Sequence, residues 1–160
     1  MLLRSTWDYT ERPSEFLAWC ERVAAQTRLF NPLDVVRWNT DKHYLADLEN
    51  AGVAIVESVF LSPEHAANDF PDYAEFVVKP CISAGSKDTQ RYVREERDKA
   101  IAHIARLQAE ARSVLIQPYL AEVDDAGETA LIFFNGVFSH AIRKGPLLLR
   151  GADATNALFA

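Results

Sequence analysis

The residues most able to do chemistry are two lysines and the loop that follows one of them. The short run EFVVKP ends in Lys79 and Pro80, so a buried strand would deliver the Lys79 ammonium from a rigid element. Immediately after it, Ser83-Ala84-Gly85-Ser86-Lys87-Asp88-Thr89 offers backbone amides, hydroxyls and a further cation, an inventory that wraps phosphate oxygens. The loop is neither a Walker A sequence nor GxGxxG, and a Ser/Gly loop by itself is most often a connection. Lys42 falls in the first turn of a second helical pattern. The exposed amides and helix dipole there favour an anion, although a lysine at that end is itself mildly unfavourable. Either lysine alone would be read as a solvated surface residue.

Gln117-Pro118-Tyr119-Leu120 ends a strand pattern and turns into an acidic connection with Glu122, Asp124, Asp125 and Glu128. Main-chain groups at such a break can read a purine, and a carboxylate can accept from ribose hydroxyls. Without further context it is a strand end with a solvated acidic turn. Arg143 and Lys144 close a later strand and alternate in direction, so one of the two at most faces a shared pocket. The four histidines and two cysteines show no CxxC or metal-ligand spacing, and no nucleophile triad can be assembled from them.

The elements that must position these residues follow from pattern and punctuation. A helix is expected from Thr10 to Arg28, with Pro13 in its first turn, and Asn31-Pro32 breaks the chain after it. Asn39 or Thr40 would cap a second helix through Tyr44, Leu45 and Leu48, ended by Gly52 in a left-handed conformation. VAIVESVFL and EFVVK read as strands, Arg91 to Arg112 as the clearest amphipathic helix, and SVLIQPYL as a strand stopped by Pro118. Asn135-Gly136 joins two β-rich runs as a hairpin. LLRSTWDY at the start fits the last strand of a preceding unit, and the tail from Gly145 gives no firm pattern. The order is that of an α+β fold rather than parallel βαβ units.

The chain has 160 residues, 49% of them apolar, enough for one domain with a core. A formal net charge of -6 argues against a sequence-independent grip on nucleic acid. No segment has the length of a membrane span or the pattern of a signal peptide, so a soluble cytoplasmic protein is expected.

In this order, Asp41-Lys42, Gly52 before VAIV, VVKP, the Ser/Gly loop, the long helix, VLIQPYL and the ETALIFFNG hairpin resemble the ATP-grasp enzymes, over roughly residues 31–146. RSTWDY, KPCISAGSKDT and FSHAIRKGP are similar to the O-ureido-D-serine cyclo-ligase type of D-cycloserine biosynthesis and its relatives. The resemblance implies a partial α+β ATP-grasp fold, with residues 1–30 ending an N-terminal domain and 31–160 forming an ATP-grasp domain incomplete at its C-terminus. It also implies an ATP-dependent carboxylate-amine ligase that works through an acyl-phosphate.

By the same resemblance, Lys42 and Lys79 contact phosphate oxygens, and Ser83, Gly85 and Ser86 belong to a lid. Gln117, Tyr119 and Leu120 form an adenine hinge, Tyr119 and Leu120 through their backbones. Glu128 is the first choice for ribose, and Arg143 or Lys144 stabilises the γ-phosphate or acyl-phosphate. The implied cofactors are ATP and Mg2+, and the implied substrate is a small carboxylate or amino-acid-like molecule. The family's early N-terminal strands and its acidic, Asn-containing metal-binding strands are not matched. The chain alone is therefore expected to be inactive, and association with a second copy would be one way to cover exposed edges. The alternative is a non-catalytic nucleotide-binding or interaction domain that has lost its metal site.

Overall fold

The computed structural model describes residues 1–4, 6–145 and 148, with the backbone alone at residue 7. A 3-10 turn at Trp7–Thr10 precedes the helices α1 (Pro13–Gln26), α2 (Leu33–Thr40) and α3 (Tyr44–Asn50). Strands β1 (Val59–Leu61), β2 (Glu75–Pro80) and β3 (Gln90–Val93) follow, then helix α4 (Arg97–Ala109), strand β4 (Val114–Pro118) and the short helix α5 (Glu122–Ala126). The hairpin β5 (Glu128–Phe134) and β6 (Val137–Lys144) completes the described chain. The α+β expectation is borne out: one sheet has strand order β1-β4-β2-β3, every neighbouring pair antiparallel, and the hairpin forms a second sheet.

The period-2 alternation of the central strands divides the labour of the main sheet. Phe76 and Val78 of β2 and Val114 and Ile116 of β4 join Ala100, Ile104 and Leu107 of α4, with Tyr92 and Phe70, in a buried core. Ile104, Leu107 and the two β4 residues are fully buried, so helix and sheet are locked together. Removing the Ile104 side chain to Ala would cost about 2–5 kcal/mol. The opposite face carries Glu75, Val77 and Lys79, with Gln117 beside Val77 and Arg91 on its other side. That face holds the candidate site.

Several boundaries differ from the sequence reading. Of VAIVESVFL only Val59–Leu61 pairs with β4. The long helix begins at Arg97 rather than Arg91, because Gln90–Val93 is drawn into the sheet against β2. Helix α2 had no counterpart in the sequence reading. Asn39 and Thr40 are not caps: they lie in its last turn, and Thr40 Oγ1 donates back to Val36 O at 2.5 Å. The first helix is shorter than expected, and Met1–Arg4 form no strand; there Met1 O accepts from Phe30 N-H. Ser5, Pro146, Leu147 and the tail 149–160, with Asp153, lie outside the described residues, as does the side chain of Trp7.

Two turns follow expectation. Gly52, at φ +81, ends α3, with the Val53 amide donating back to Leu48 O as in a Schellman motif. Asn135 and Gly136 both have positive φ, at +50 and +78, which makes the hairpin turn type I′.

Candidate functional site

Lys42 is placed by its backbone as much as by its side chain. It sits in the turn before α3 rather than in the helix. Asp41 Oδ1 accepts from the His43 amide, and the Lys42 amide donates to Cys81 O. Its Nζ donates to Ser83 Oγ at 2.8 Å and lies within 3.2 Å of the carbonyls of Pro80, Cys81 and Ser83. Burial, then the charge of Lys79, lowers its pKa to about 8. Lys79 projects from β2 onto the same face. Burial lowers its pKa too, while nearby Glu128 opposes that shift.

The loop between β2 and β3 is shaped by turns. Gly85, Ser86 and Asp88 all have positive φ, and the Lys87 and Thr89 amides donate to Ala84 and Ser86 carbonyls. Two non-glycine residues in the left-handed region cost free energy and need holding from outside. Asp88 is held by Arg106 at 3.0 Å and Arg112 at 2.7 Å, and Lys87 pairs with Glu11 at 2.8 Å. The loop is thus tied at one side to α4 and at the other to the N-terminal turn.

At the end of β4, Gln117 Nε2 donates to Ser58 Oγ at 2.8 Å, and the Tyr119 amide donates to Glu75 O at 2.9 Å. Tyr119 N-H is therefore engaged by the sheet, and what its backbone presents beyond is the carbonyl. The acidic connection contains α5, and Gly127, at φ +69, leads into Glu128 at the base of the hairpin.

These parts surround one cavity of about 340 Å³. Its walls include nine of the residues singled out from the sequence: Lys42, Lys79, Ser83, Gly85, Ser86, Gln117, Tyr119, Leu120 and Glu128. Val56, Val77 and Val123 add apolar wall, and Thr89 a hydroxyl. Arg143 and Lys144 do not line it. They are exposed on β6, paired in register with Thr129 and Glu128, so Lys144 shares a face with Glu128 and Arg143 takes the other.

A second cavity, about 470 Å³, adjoins the first across Ser83 and is lined by Glu11, Asp41, Cys81, Lys87 and Arg112 among others. Donor atoms of Asp41, His43 and Cys81 come within 4.8 Å of one another there, a grouping invisible to sequence spacing. His43 Nδ1 lies 2.6 Å from Asp41 Oδ1, and burial pushes the Cys81 thiol up to about 12. The carboxylate is engaged by its neighbour, and burial keeps the Cys81 thiol protonated at neutral pH.

Arg91, on the site face of the sheet, is the charged residue whose setting sequence reasoning missed. Placed inside an assumed helix, it gave no sign of its partners Glu75 and Asp124, which it meets at 2.6 and 2.9 Å.

Residues 1–31 match the family model described as D-cycloserine synthetase DcsG, N-terminal domain. The chain is 47% identical over 157 residues to Cycloserine biosynthesis protein DcsG of Streptomyces lavendulae, covering 93% of this chain and 52% of that protein. It superposes on the crystal structure of D-cycloserine synthetase DcsG with a TM-score of 0.88, covering 93% of this chain and 53% of that one. D-Alanine-D-Alanine Ligase from Helicobacter pylori shares the fold at a TM-score of 0.59 and 16% identity, over 90% of this chain and 44% of its own. The chain spans about half the length of these relatives. No helix among the described residues is long and apolar enough to cross a membrane.

Proposed function

The chain is an α+β relative of D-cycloserine synthetase with part of the ATP-grasp ligase fold, and on that footing we propose that it forms the ATP-binding portion of a carboxylate-amine type ligase. The observation that carries this reading is the convergence of nine residues, drawn from β2, β4 and the turn after it, β5, the Ser/Gly loop and the turn before α3, on one cavity with two lysines in its wall.

In this reading Lys42 and Lys79 neutralise phosphate oxygens, and the loop Ser83–Ser86 closes over them. Adenine is read by the Tyr119 carbonyl and the Leu120 amide, since the Tyr119 amide is engaged with Glu75. Glu128 accepts from the ribose hydroxyls. A carboxylate oxygen of a small amino-acid-like substrate attacks the γ-phosphorus and ADP leaves. An amine then attacks the acyl carbon of the acyl-phosphate, and phosphate departs. Catalysis of this kind is positioning and charge neutralisation, with no nucleophilic side chain required. Of the two candidate late cations neither lines the cavity, and Lys144 is the one that shares a face with Glu128.

Magnesium does not fit this donor set. The ion takes oxygen ligands in near-octahedral geometry, usually through carboxylates, and among the described lining residues Glu128 is the sole carboxylate. The same observation favours, as a second reading, a domain that binds nucleotide without turning it over. Either way we place the work of the protein in the cytoplasm, with residues 1–30 belonging to the end of a preceding domain.

The test is thermal unfolding with a non-hydrolysable ATP analogue and its GTP counterpart. ATP is expected to raise the midpoint more, because a main-chain hinge distinguishes an amino group from a carbonyl. Equal shifts would remove the hinge assignment, and no shift with either would remove the nucleotide site.

A further inference from the structure

We propose that Arg91 is a positioning residue for the nucleotide cavity, fixing the turn after β4 and, through it, the main-chain groups that face the base. This rests on the nucleotide reading above.

Arg91 stands opposite Val77 on the site face of the sheet, and its side chain is only 4% exposed. Nε donates to Glu75 Oε1 at 2.6 Å, and the two terminal nitrogens donate to the two oxygens of Asp124, each at 2.9 Å. Nη1 also reaches Leu148 O at 3.3 Å. The guanidinium carbon lies 3.4 Å from the centre of the Tyr119 ring. Tyr119 in turn donates its hydroxyl to Asp124 Oδ1 at 2.5 Å and its amide to Glu75 O. One planar cation therefore joins β2, β3, α5 and the hinge.

Arg91 does not line the cavity, while Tyr119, Leu120, Val123 and Leu148 do. A five-residue helix such as α5 cannot hold itself in water. Asp124 is its anchor to the sheet, and Val123 comes with it. A desolvated ion-pair cluster contributes little net stability compared with apolar packing, so its value here lies in the geometry it fixes. That geometry needs a guanidinium. The bidentate fork and the flat stack on Tyr119 have no equivalent in an ammonium, so Arg91→Lys keeps the charge and loses the clamp.

The experiment measures dissociation constants of ATP, GTP and inorganic tripolyphosphate for the purified protein and for R91K, with circular dichroism confirming that both are folded. R91K is expected to weaken ATP about tenfold. GTP and tripolyphosphate should change by less than about twofold, so the preference for ATP over GTP narrows. Should R91K not fold, D124N, which leaves the Arg91–Glu75 pair in place, carries the same expectation. Unchanged ATP affinity in the folded variant overturns the clamp and leaves the nucleotide reading standing. Equal losses for ATP and tripolyphosphate also overturn it, because they would report general loosening. A wild-type protein that binds no ATP overturns both.

Discussion

Lys42 Nζ lies 2.8 Å from Ser83 Oγ, so the cation proposed to meet phosphate is held at the root of the loop proposed to cover it. The carbonyls of Pro80, Cys81 and Ser83 complete its surroundings. Carbonyls and a hydroxyl are polar partners without charge, and they do not offset burial and the neighbouring Lys79. That is why the pKa of Lys42 falls to about 8.

The first prediction concerns protons. The folded pKa of Lys42 is depressed below its ordinary value of 10.5, so between about 8 and 10.5 the unfolded chain holds the proton that the folded chain has released. Stability from this group therefore rises with pH across that window. A bound triphosphate acts oppositely, raising the pKa of Lys42. Calorimetry in buffers of different ionisation enthalpy should show uptake of up to about one proton on ATP binding near pH 9 and little at pH 7. Lys42→Met should reduce the pH 9 uptake, leaving at most a share from Lys79, whose pKa burial also lowers. Uptake unchanged in the variant would place the titrating group elsewhere.

Lys79 gives the second. Its ammonium is partly desolvated, with Glu128 as a nearby opposite charge. Lys79→Ala should weaken ATP by about 1.5–3 kcal/mol, the range of a charge-assisted contact, with Lys42→Ala acting in the same direction. Adenosine should bind both variants as it binds wild type. ATP affinity that survives Lys79→Ala would mean the phosphates sit elsewhere.

What could be read in the sequence was what punctuation and period-2 patterning mark. Lys79 stood out because EFVVKP is short and apolar, Gly52 and Asn135-Gly136 because their conformations demand those residue types, and the end of β4 because Pro118 stops a strand. Strand β3 was hidden because Gln90–Val93 runs straight into the helical pattern of α4, although Tyr92 and Val93 are strand formers. Helix α2 was hidden by its length and by Val35 and Val36, poor helix formers that tertiary packing against α1 overrides. The Arg91 clamp depends on partners brought together by strand pairing, and no local spacing announces it.

A third prediction separates the two glycines of the hairpin. A Cβ on Gly127 would stand 2.2 Å from the Lys144 carbonyl oxygen, whereas one on Gly136 meets nothing within 4 Å. Both have positive φ, so both alanine variants carry backbone strain, about 1–2 kcal/mol at Gly136. Gly127→Ala must also push apart the Glu128–Lys144 end of the ladder. It should therefore lower ATP affinity as well as stability, while Gly136→Ala should lower stability alone. The same ATP affinity in both variants would detach the hairpin base from the site.

The last prediction is that this 160-residue chain does not by itself convert ATP to ligated product at an appreciable rate. Phosphoryl transfer to a carboxylate brings two anions together, and metal ions bridging the phosphates normally supply the charge that allows it. Among the described lining residues Glu128 is the sole carboxylate, and ribose has first claim on it. Asp124 of α5 is engaged by Arg91 and Tyr119. Lys42 and Lys79 can hold a triphosphate in the ground state, but they cannot bridge the attacking and leaving oxygens as a divalent ion does. The purified chain, incubated with ATP, magnesium and a panel of amino acids, should release phosphate no faster than its Lys79→Ala variant. Faster release, rising with protein concentration more steeply than in proportion, would show that a second copy supplies the missing carboxylates.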